Sequence, residues 1–457
     1  MYLTLRRIPV PRSAAPPVDS ASAVPARRQR VSSVVLTLGT VSLLTDLSSE
    51  MVLAVLPVYL TAVLGLTPLQ FGVVDGVYQG VTAAVRIFGG LTADLTRRPK
   101  LVATVGYSLS CGCKLLFLPV QGFAAVTGLV ALDRAGKGIR TAPRDAMIAA
   151  ASPPRELGRA FGVHRAMDTV GALGGPLIAF GVLAVLVDGY QLIFALSFSL
   201  ALVAVAVLAL FAPADRPRRG GGRDPDLDVS ATAVESPLPT PDEHGQASPG
   251  PVGRQVAGLG RAAAYRRVLA VGGLLSLATI SDGFVYLALS ERVELPVWLF
   301  PLFFVGTAAG YLLLAVPLGR LADRVGRGRV FLAGHVVAAT GYLGLWLLPR
   351  SVPPVPLVLG VLVLVGVYYA ATDGVLPALV VPLVPEAVRA TGIAGVQAVT
   401  ALGALVSAAG FGAVWTAFGL DAAVATHALA LLAATALAAG VREFRSPVLP
   451  HPTGRNR

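Results

Sequence analysis

The chain has 457 residues, of which 55% are hydrophobic and only 14% are charged, and its mean hydropathy is +0.72. These values exclude an ordinary soluble globular fold, which carries more charge and less apolar surface. The net charge of +12 does not indicate nucleic-acid binding, because the basic residues lie between apolar blocks. Composition therefore predicts an α-helical protein embedded in a lipid bilayer.

Taken in chain order, residues 1–32 predict a basic tail without structure of its own. Apolar runs bounded by Gly, Pro and charge then predict twelve membrane-spanning helices. The first six are predicted at 33–63, 70–93, 100–120, 123–149, 160–186 and 190–211, and the second six at 267–290, 297–318, 330–349, 355–382, 391–416 and 421–441. The predicted fold is all-α, with two pseudo-symmetric six-helix bundles at 33–212 and 263–442.

Between the two sets, residues 213–262 are rich in Pro, Gly and Ser, which predicts a flexible linker, and residues 443–457 form a C-terminal tail. Basic residues accumulate in alternate loops. One side of the membrane collects Arg97, Arg98, Lys100, Arg155, Arg159, Arg320, Arg324, Arg327, Arg329 and Arg389, whereas the other holds Arg292 and Arg350. By the positive-inside rule both termini and the linker are cytoplasmic, in the inner membrane of the cell.

The two sets of helices repeat one another in sequence. Residues 90–100 read GLTADLTRRPK and residues 319–329 read GRLADRVGRGR, each after the second span of its set. Asp46 and Asp282, in the first and seventh spans, are separated by nearly the same number of residues as these two segments. The same is true of Asp133 and Asp373, in the fourth and tenth spans. A nearly constant spacing indicates an internal repeat, which in transporters places the solute site between the halves near the membrane midplane.

These motifs resemble the major facilitator superfamily over residues 31–442. The loop after the second span of each set carries the family's gating motif. Gly319, Ala322, Asp323, Arg324, Gly326 and Arg327 match it fully, whereas the first copy keeps Gly90, Ala93, Asp94 and Arg98 but has Leu95 and Arg97 in place of Arg and Gly. Arg134 and Gly138 match the family's fourth-span motif, and Gly171, Gly175 and Pro176 resemble the fifth-span motif of proton-coupled exporters, with Ala179 and Phe180 replacing its last two glycines.

Charged residues in apolar spans are costly and therefore indicate function. The resemblance implies that spans one, four, seven and ten line a central cavity, so the candidates for solute binding or proton coupling are Asp46, Glu50, Asp133, Arg134, Lys137, Asp282 and Asp373. Asp46 and Glu50 share one helix face, as do Asp133 and Lys137. The alternative is structural: Asp46 or Glu50 neutralises Arg134 or Lys137 and joins two helices.

Asp94 and Asp323, with their basic neighbours, are predicted to hold an inner gate in one conformation, a purely topogenic basic loop being the alternative. His164 and Asp168 predict either a proton relay or, with Arg165, an interfacial ion pair. Arg86 and Lys114 are expected to extend their stems to an interface. Gly171 and Gly175 favour close helix packing.

Together these features predict a secondary active transporter that works by alternating access, with proton-coupled efflux of a small solute. The alternatives are a proton-coupled uptake symporter for an organic or metal-bearing solute and, from another class, a membrane-embedded sensor or enzyme. No nucleophile motif or ligand cluster indicates an enzyme, and no cofactor or metal is predicted. The expected partners are the solute, the proton and the bilayer, with the monomer as the functional unit.

Overall fold

The computed structural model describes residues 32–96, 98–153, 156–186, 188–215, 258, 262–293, 295–347, 354–385 and 388–445, without the side chains of 83, 86–91, 93–95, 354 and 390. The predicted N-terminal tail, most of the linker, the end of the C-terminal tail and Arg97 lie outside these residues. So do the side chains of Arg86 and Asp94 and the surroundings of Gly90.

The first set of helices follows the predicted spans closely. It comprises α1 (Ser33–Val58, continued by a π-helical turn at Tyr59–Val63), α2 (Pro68–Thr96), α3 (Pro99–Leu116), α4 (Phe123–Ala150), α5 (Leu157–Val185) and α6 (Tyr190–Phe211). The Ser32 hydroxyl caps α1 by accepting a hydrogen bond from the Val34 amide at 3.3 Å. Pro57 lies inside α1 and has no amide proton to donate, and the π-helical turn follows directly after it.

The second set contains more interruptions. It comprises α7 (Ala263–Ala278), α8 (Asp282–Val293), a 3₁₀ turn (Val297–Leu299), α9 (Pro301–Val325), α10 (Arg327–Leu347), α11 (Pro354–Thr372), α12 (Val375–Val380) with a 3₁₀ turn (Val381–Leu383), α13 (Arg389–Phe418), α14 (Leu420–Ala439) and the short α15 (Arg442–Arg445).

Nine helical segments in the described part of the chain are long and apolar enough to cross a membrane. They are the segments built from α1, α5, α6, α7 with α8, α9, α10, α11 with α12, α13 and α14. Helices α2, α3 and α4 are not among these nine segments. Helix α4, for example, carries the charged residues Asp133, Arg134, Lys137 and Arg140. The protein is thus a multi-pass α-helical membrane protein, and the count of twelve spans stays a prediction.

Two predicted spans are broken at their aspartates. The seventh is interrupted between α7 and α8, so that Asp282 is the first residue of α8, and the tenth is interrupted between α11 and α12, where Asp373 lies. The sequence pattern predicts uninterrupted helices here, because apolar residues continue on both sides. Asp is a poor helix-interior residue but is stabilised at a helix N-terminus, and this explains the position of Asp282.

Helix packing repeats between the two sets. Helix α1 packs against α5 and α6, α2 against α4, and α3 against α4 and α6; likewise α7 packs against α13 and α14, α9 against α11, and α10 against α11 and α14. The sets contact each other chiefly through α2 with α13 and α5 with α9. The predicted boundaries of the two bundles stay a prediction, because the chain from Ser32 onward packs as one compact unit.

Candidate transport site

The central charges of the first set lie on α1, α3, α4 and α5. Asp133 is 6% exposed and accepts hydrogen bonds from Ser110 Oγ at 2.5 Å, Lys114 Nζ at 3.0 Å and Arg134 Nε at 2.9 Å. Lys114 is 2% exposed. The expectation that Lys114 extends to an interface is therefore wrong, because its ammonium group pairs with Asp133 inside the helix bundle. The Ser110–Lys114–Asp133–Arg134 cluster joins α3 to α4.

Arg134 extends this cluster toward α2. Its guanidinium carbon lies 4.1 Å from the centroid of the Tyr78 ring, within the range of a cation–π interaction. With an exposure of 3%, Arg134 is as inaccessible as Asp133. The candidate pair Asp133 and Arg134 is therefore internally neutralised in this conformation, which suits holding helices together better than contacting a solute.

Glu50 and Lys137 face each other between α1 and α4. Glu50 Oε1 lies 3.9 Å from Lys137 Nζ, and their side chains are 21% and 29% exposed. The structural alternative predicts that an acid of α1 neutralises a base of α4, and this pair has that geometry. Its exposure nevertheless leaves both groups accessible to water or to a bound solute, unlike the Asp133 cluster.

The carboxyl group of Asp46 lies near that of Asp168 on α5, close enough for the two groups to interact. Asp168 Oδ2 lies 3.6 Å from Arg165 Nη1, whereas its buried Oδ1 has no donor among the described residues. Lys137, Arg140 and Arg144 act on Asp46 from α4. A carboxyl pair with one oxygen lacking a donor can hold a proton between its members.

Glycines on α5 bring this pair together. A Cβ atom added to Gly175 would lie 2.7 Å from Met51 N and 2.8 Å from Leu47 O, and one added to Gly171 would press on the Leu43 carbonyl. Only glycine at these positions lets the backbones of α5 and α1 touch at the level of Asp46 and Glu50. Pro176 follows within α5 without ending the helix.

His164 lies on the same face of α5, nearer the predicted cytoplasmic end. Its Nε2 is 2.9 Å from Ser42 Oγ, which also accepts a hydrogen bond from Arg144 Nη1 at 3.1 Å. The sequence left a proton relay and an ion pair open for this group. The structure contains the Arg165–Asp168 ion pair. His164 contacts Ser42 and not Asp168.

The corresponding acids of the second set have tyrosine partners. Tyr369 donates a hydrogen bond to Asp282 Oδ1 at 2.6 Å, and Tyr311 donates one to Asp373 Oδ2 at 3.4 Å. The structure thus separates the repeated aspartates chemically: Asp46 and Asp133 lie among basic groups, whereas Asp282 and Asp373 are bound by neutral hydroxyls.

The gating motif is described fully in its second copy. Asp323 Oδ1 accepts hydrogen bonds from Arg327 Nε and Nη2 at 3.1 and 3.0 Å, and Arg327 Nη1 donates to the Ala378 carbonyl at 2.7 Å. Gly326 has a φ of 113°, which favours glycine, in the turn between α9 and α10. Gly319 faces open space. Arg324 lies in the last turn of α9.

In the first copy of the motif, α2 continues to Thr96 and α3 begins with Pro99 after Arg98. Proline suits the first position of a helix, because the amide proton it lacks would have no partner there. This copy therefore turns without the glycine of the second copy. The side chain of Asp94 lies outside the described residues.

The predicted extracellular end of the molecule is closed. Phe284 of α8 packs against Phe71, Phe411 and Trp415, with ring centroids 4.8, 4.6 and 5.8 Å away. A Cβ atom on Gly76 of α2 would lie 2.8 Å from the Leu405 carbonyl oxygen of α13. These contacts join the two sets of helices, so the conformation is closed on this side.

Sequence reasoning did not include Asp75, Tyr78, Tyr311 or Tyr369 among the candidates, and it did not identify Asp168 as the partner of Asp46. A lone acid in the apolar segment FGVVDGVYQG is the signal that could have identified Asp75. The tyrosines carry no such signal, because aromatic residues are common in apolar spans.

Similar proteins match this chain in sequence and in fold. An uncharacterized MFS-type transporter, MJ1317, from Methanocaldococcus jannaschii is 38% identical over 151 residues, and the uncharacterized protein Rv2265 from Mycobacterium tuberculosis is 34% identical over 156 residues. Each match covers 33% of this chain and 37% of the relative, so it spans little more than a third of the relative's length.

Solved structures share the fold along most of the chain. A variant of the nucleoside transporter NupG has a TM-score of 0.72 at 13% identity, covering 89% of this chain and 99% of NupG. An inward-facing, unoccupied bacterial homologue of the human lysosomal transporter Spinster has a TM-score of 0.68 at 15% identity, covering 90% and 97%. The family model described as Major Facilitator Superfamily matches residues 38–307 and 280–457, and the chain therefore belongs to the major facilitator superfamily of membrane transporters.

Proposed function

We propose that this transporter exports a small solute by alternating access and that protons drive the export. The observation that carries the proposal is the carboxyl pair of Asp46 and Asp168 between α1 and α5, faced by Lys137, Arg140 and Arg144. Two adjacent carboxylates repel each other when both are ionised, so one proton is held between them. Nearby basic side chains favour release of that proton.

Conformational change would alternately favour binding of this proton by the carboxyl pair and its release by the basic side chains. When the predicted extracellular end opens, water reaches the pair and a proton binds from outside. When that end closes, α4 presses its basic groups toward Asp46 and the proton leaves toward the cytoplasm. Because the charge of the pair changes between the two states, the proton gradient can drive the transition.

The solute would bind beside this pair. Glu50 and Lys137 remain 21% and 29% exposed and offer one group of each charge. Tyr311 and Asp373 offer a hydroxyl and a carboxylate from the opposite set of helices. A solute that displaces Lys137 from Glu50 frees a basic group close to Asp46, so solute binding and proton binding oppose each other. Mutually exclusive occupancy of this kind produces antiport.

The direction of transport is supported by the resemblance of Gly171, Gly175 and Pro176 to the exporter motif. A proton-coupled uptake symporter is the second candidate, favoured by the same carboxyl pair if solute and proton bind together. A sensor or enzyme finds no comparable support in the site.

We place the protein in the cell membrane with both termini and the linker in the cytoplasm, acting as a monomer. Reporter fusions after Arg216 and Arg445 would report cytoplasm and one near Arg350 the exterior. A linker found outside would overturn the twelve-span topology.

Vesicle transport tests the proposed function. Everted vesicles acidified inside should accumulate one member of a panel of metabolites and drugs, and a proton ionophore should abolish the accumulation. Accumulation in right-side-out vesicles with an acidic exterior would instead establish the uptake symporter. Solute movement that ignores the pH gradient in both preparations would refute proton coupling.

A further inference from the structure

A small cavity lies between the two sets of helices, below the closed extracellular end. Its volume is about 50 Å³. The polar side chains that line it are Asp75, Tyr78 and Gln79 from α2 and Asp282 from α8. The remaining lining is apolar or glycine, including Phe71, Phe304 and Gly283, and none of the described lining residues is basic. The proton-coupling mechanism proposed above uses neither Asp75 nor this cavity.

Two buried oxygen atoms, one of Asp75 in the cavity lining and one of Ser281 beside it, have no hydrogen-bond partner among the described residues. Asp75 is 9% exposed, and its Oδ2 is buried without a hydrogen-bond donor among the described residues. The hydroxyl oxygen of Ser281, which lies beside the Asp75 carboxyl group, is also buried and unpaired within the described part of the chain. Buried polar atoms without partners are rare in native proteins, and a bound water, proton or ion can satisfy them.

The break in the seventh span brings these groups together. Gly283 allows the start of α8 to approach α2, since a Cβ atom added to it would lie 3.6 Å from Asp75 Oδ1 and 2.9 Å from the Phe71 ring. The carbonyls of the break are already occupied, because Ser407 donates to Thr279 O at 2.7 Å and Tyr342 donates to Ile280 O at 3.2 Å. The break is therefore held in place, and the side chains of Ser281 and Asp282 follow directly after it.

The charges around the cavity do not balance. Asp75 and Asp282 are charged neighbours, and the hydrogen bond from Tyr369 brings no positive charge to Asp282. Two carboxylates in a nearly enclosed cavity are stabilised either by protonation or by a bound cation.

We propose that Asp75, Asp282 and the Ser281 hydroxyl bind one sodium ion. A proton would bridge Asp75 and Ser281 alone, whereas a metal cation would contact oxygen atoms of Asp75, Asp282 and Ser281 together. Sodium suits the site better than a transition metal, because no group of three or more His, Cys, Asp or Glu side chains exists in the described residues. Discontinuous membrane helices commonly provide such ion sites.

The site also couples the ion to conformation. Asp75 belongs to the first set of helices and Asp282 to the second, so the site is complete only while the extracellular end is closed. Sodium then stabilises the closed state by its difference in affinity between the two states. This consequence rests on the proposed alternating access, whereas binding itself does not.

Direct binding tests the site. Purified protein at pH 8, with choline chloride keeping the ionic strength constant, should bind one ²²Na⁺ per chain in a saturable manner. Asp75→Asn and Asp282→Asn should abolish this binding, and Ser281→Ala should weaken it about tenfold, the equivalent of one neutral ligand worth about 1.4 kcal/mol. Asp188→Asn, which alters an exposed acid in the loop before α6, is the matched control and should bind normally.

A second measurement separates loss of the site from loss of the fold. Sodium chloride should raise the thermal midpoint of the wild-type protein above its value in choline chloride, and this difference should vanish in Asp75→Asn even if that variant is stable. Absence of saturable sodium binding in the wild type, or binding that persists in both aspartate variants, would overturn the proposal. Neither measurement requires a pH gradient or a solute, so failure of proton coupling would leave both results unchanged.

Discussion

The acidic groups of the two sets of helices occupy repeated positions but have opposite surroundings. In the first set, Asp133 lies against Lys114 and Arg134, and Asp46 faces the basic side chains of α4. In the second, Asp282 and Asp373 accept hydrogen bonds from Tyr369 and Tyr311. Asp46 and Asp133 therefore have basic neighbours within their own set, whereas the hydrogen-bond partners of Asp282 and Asp373 are neutral.

This difference indicates how the two bundles divide the functions of coupling and binding between them. A carboxylate beside fixed bases changes its protonation when the bases move, which suits coupling to a proton gradient. A carboxylate beside a neutral hydroxyl has no fixed counter-ion, which suits binding a cation or a polar solute. The five predictions that follow test this division, beginning with the largest effect.

Removal of the carboxyl pair should produce the largest loss. Asp46→Asn and Asp168→Asn should each abolish pH-driven accumulation while leaving exchange of solute down its own gradient partly intact, because an amide cannot carry the proton. In Asp373→Asn the pH dependence should persist while KM for the solute rises. Full pH-driven transport in both first-set variants would make their carboxyl groups structural.

The Asp133 cluster should control stability. Asp133→Asn leaves Lys114 and Arg134 buried without their counter-ion and should lower the free energy of unfolding by about 3–5 kcal/mol. Lys114→Met should cost less, since Arg134 and Ser110 still neutralise and bind Asp133. The comparison variant is Asp373→Asn, which removes a more exposed acid of the second set. Equal unfolding midpoints in detergent for all three variants would contradict the structural role of the cluster.

Close packing of α5 on α1 is the next test. Gly171→Ala introduces a Cβ against the Leu43 carbonyl and should cost about 1–3 kcal/mol, with slower transport because Asp168 moves away from Asp46. Gly181→Ala, at a position on α5 facing open space, is the matched control. Wild-type transport and stability in Gly171→Ala would show that the helices need not touch.

The gate should respond more weakly in this conformation. The Asp323–Arg327 pair is solvent-exposed, at 64% and 37%, so Asp323→Asn should change stability by only about 0.3–0.5 kcal/mol. Transport should slow if Asp323 binds a partner in the opposite conformation. A wild-type transport rate in both Asp323→Asn and Asp94→Asn would remove the gate assignment.

The smallest effect concerns Glu443, at the end of the second set. A hydrogen bond from Arg267 holds the pKa of the Glu443 carboxyl below its usual value. A lowered folded-state pKa contributes stability above the unfolded pKa, and this contribution is lost as pH falls through the folded value. In Glu443→Gln the thermal midpoint should therefore fall slightly less as the pH is lowered than it does in the wild type. The same decrease in both proteins would count against this contribution.

Much of the architecture was predictable from the sequence. Long apolar runs specify membrane helices because an unpaired backbone group in hydrocarbon is costly, and the helix bounds agree with the predicted spans to within several residues. The GRLADRVGRGR motif likewise identified the turn at Gly326, whose φ of 113° favours glycine. These features are local, so residue type and spacing are enough to predict them.

The tertiary structure alone decided which charges meet. Spacing along α4 could not show that Lys114 of α3 neutralises Asp133, that Asp168 of α5 reaches Asp46, or that Asp75 lies beside Asp282 of the other set. These contacts depend on the rotation and depth of neighbouring helices, which are set by packing at residues such as Gly175 and Gly283. An apolar helix surface permits many such arrangements, and side-chain packing between helices selects one of them.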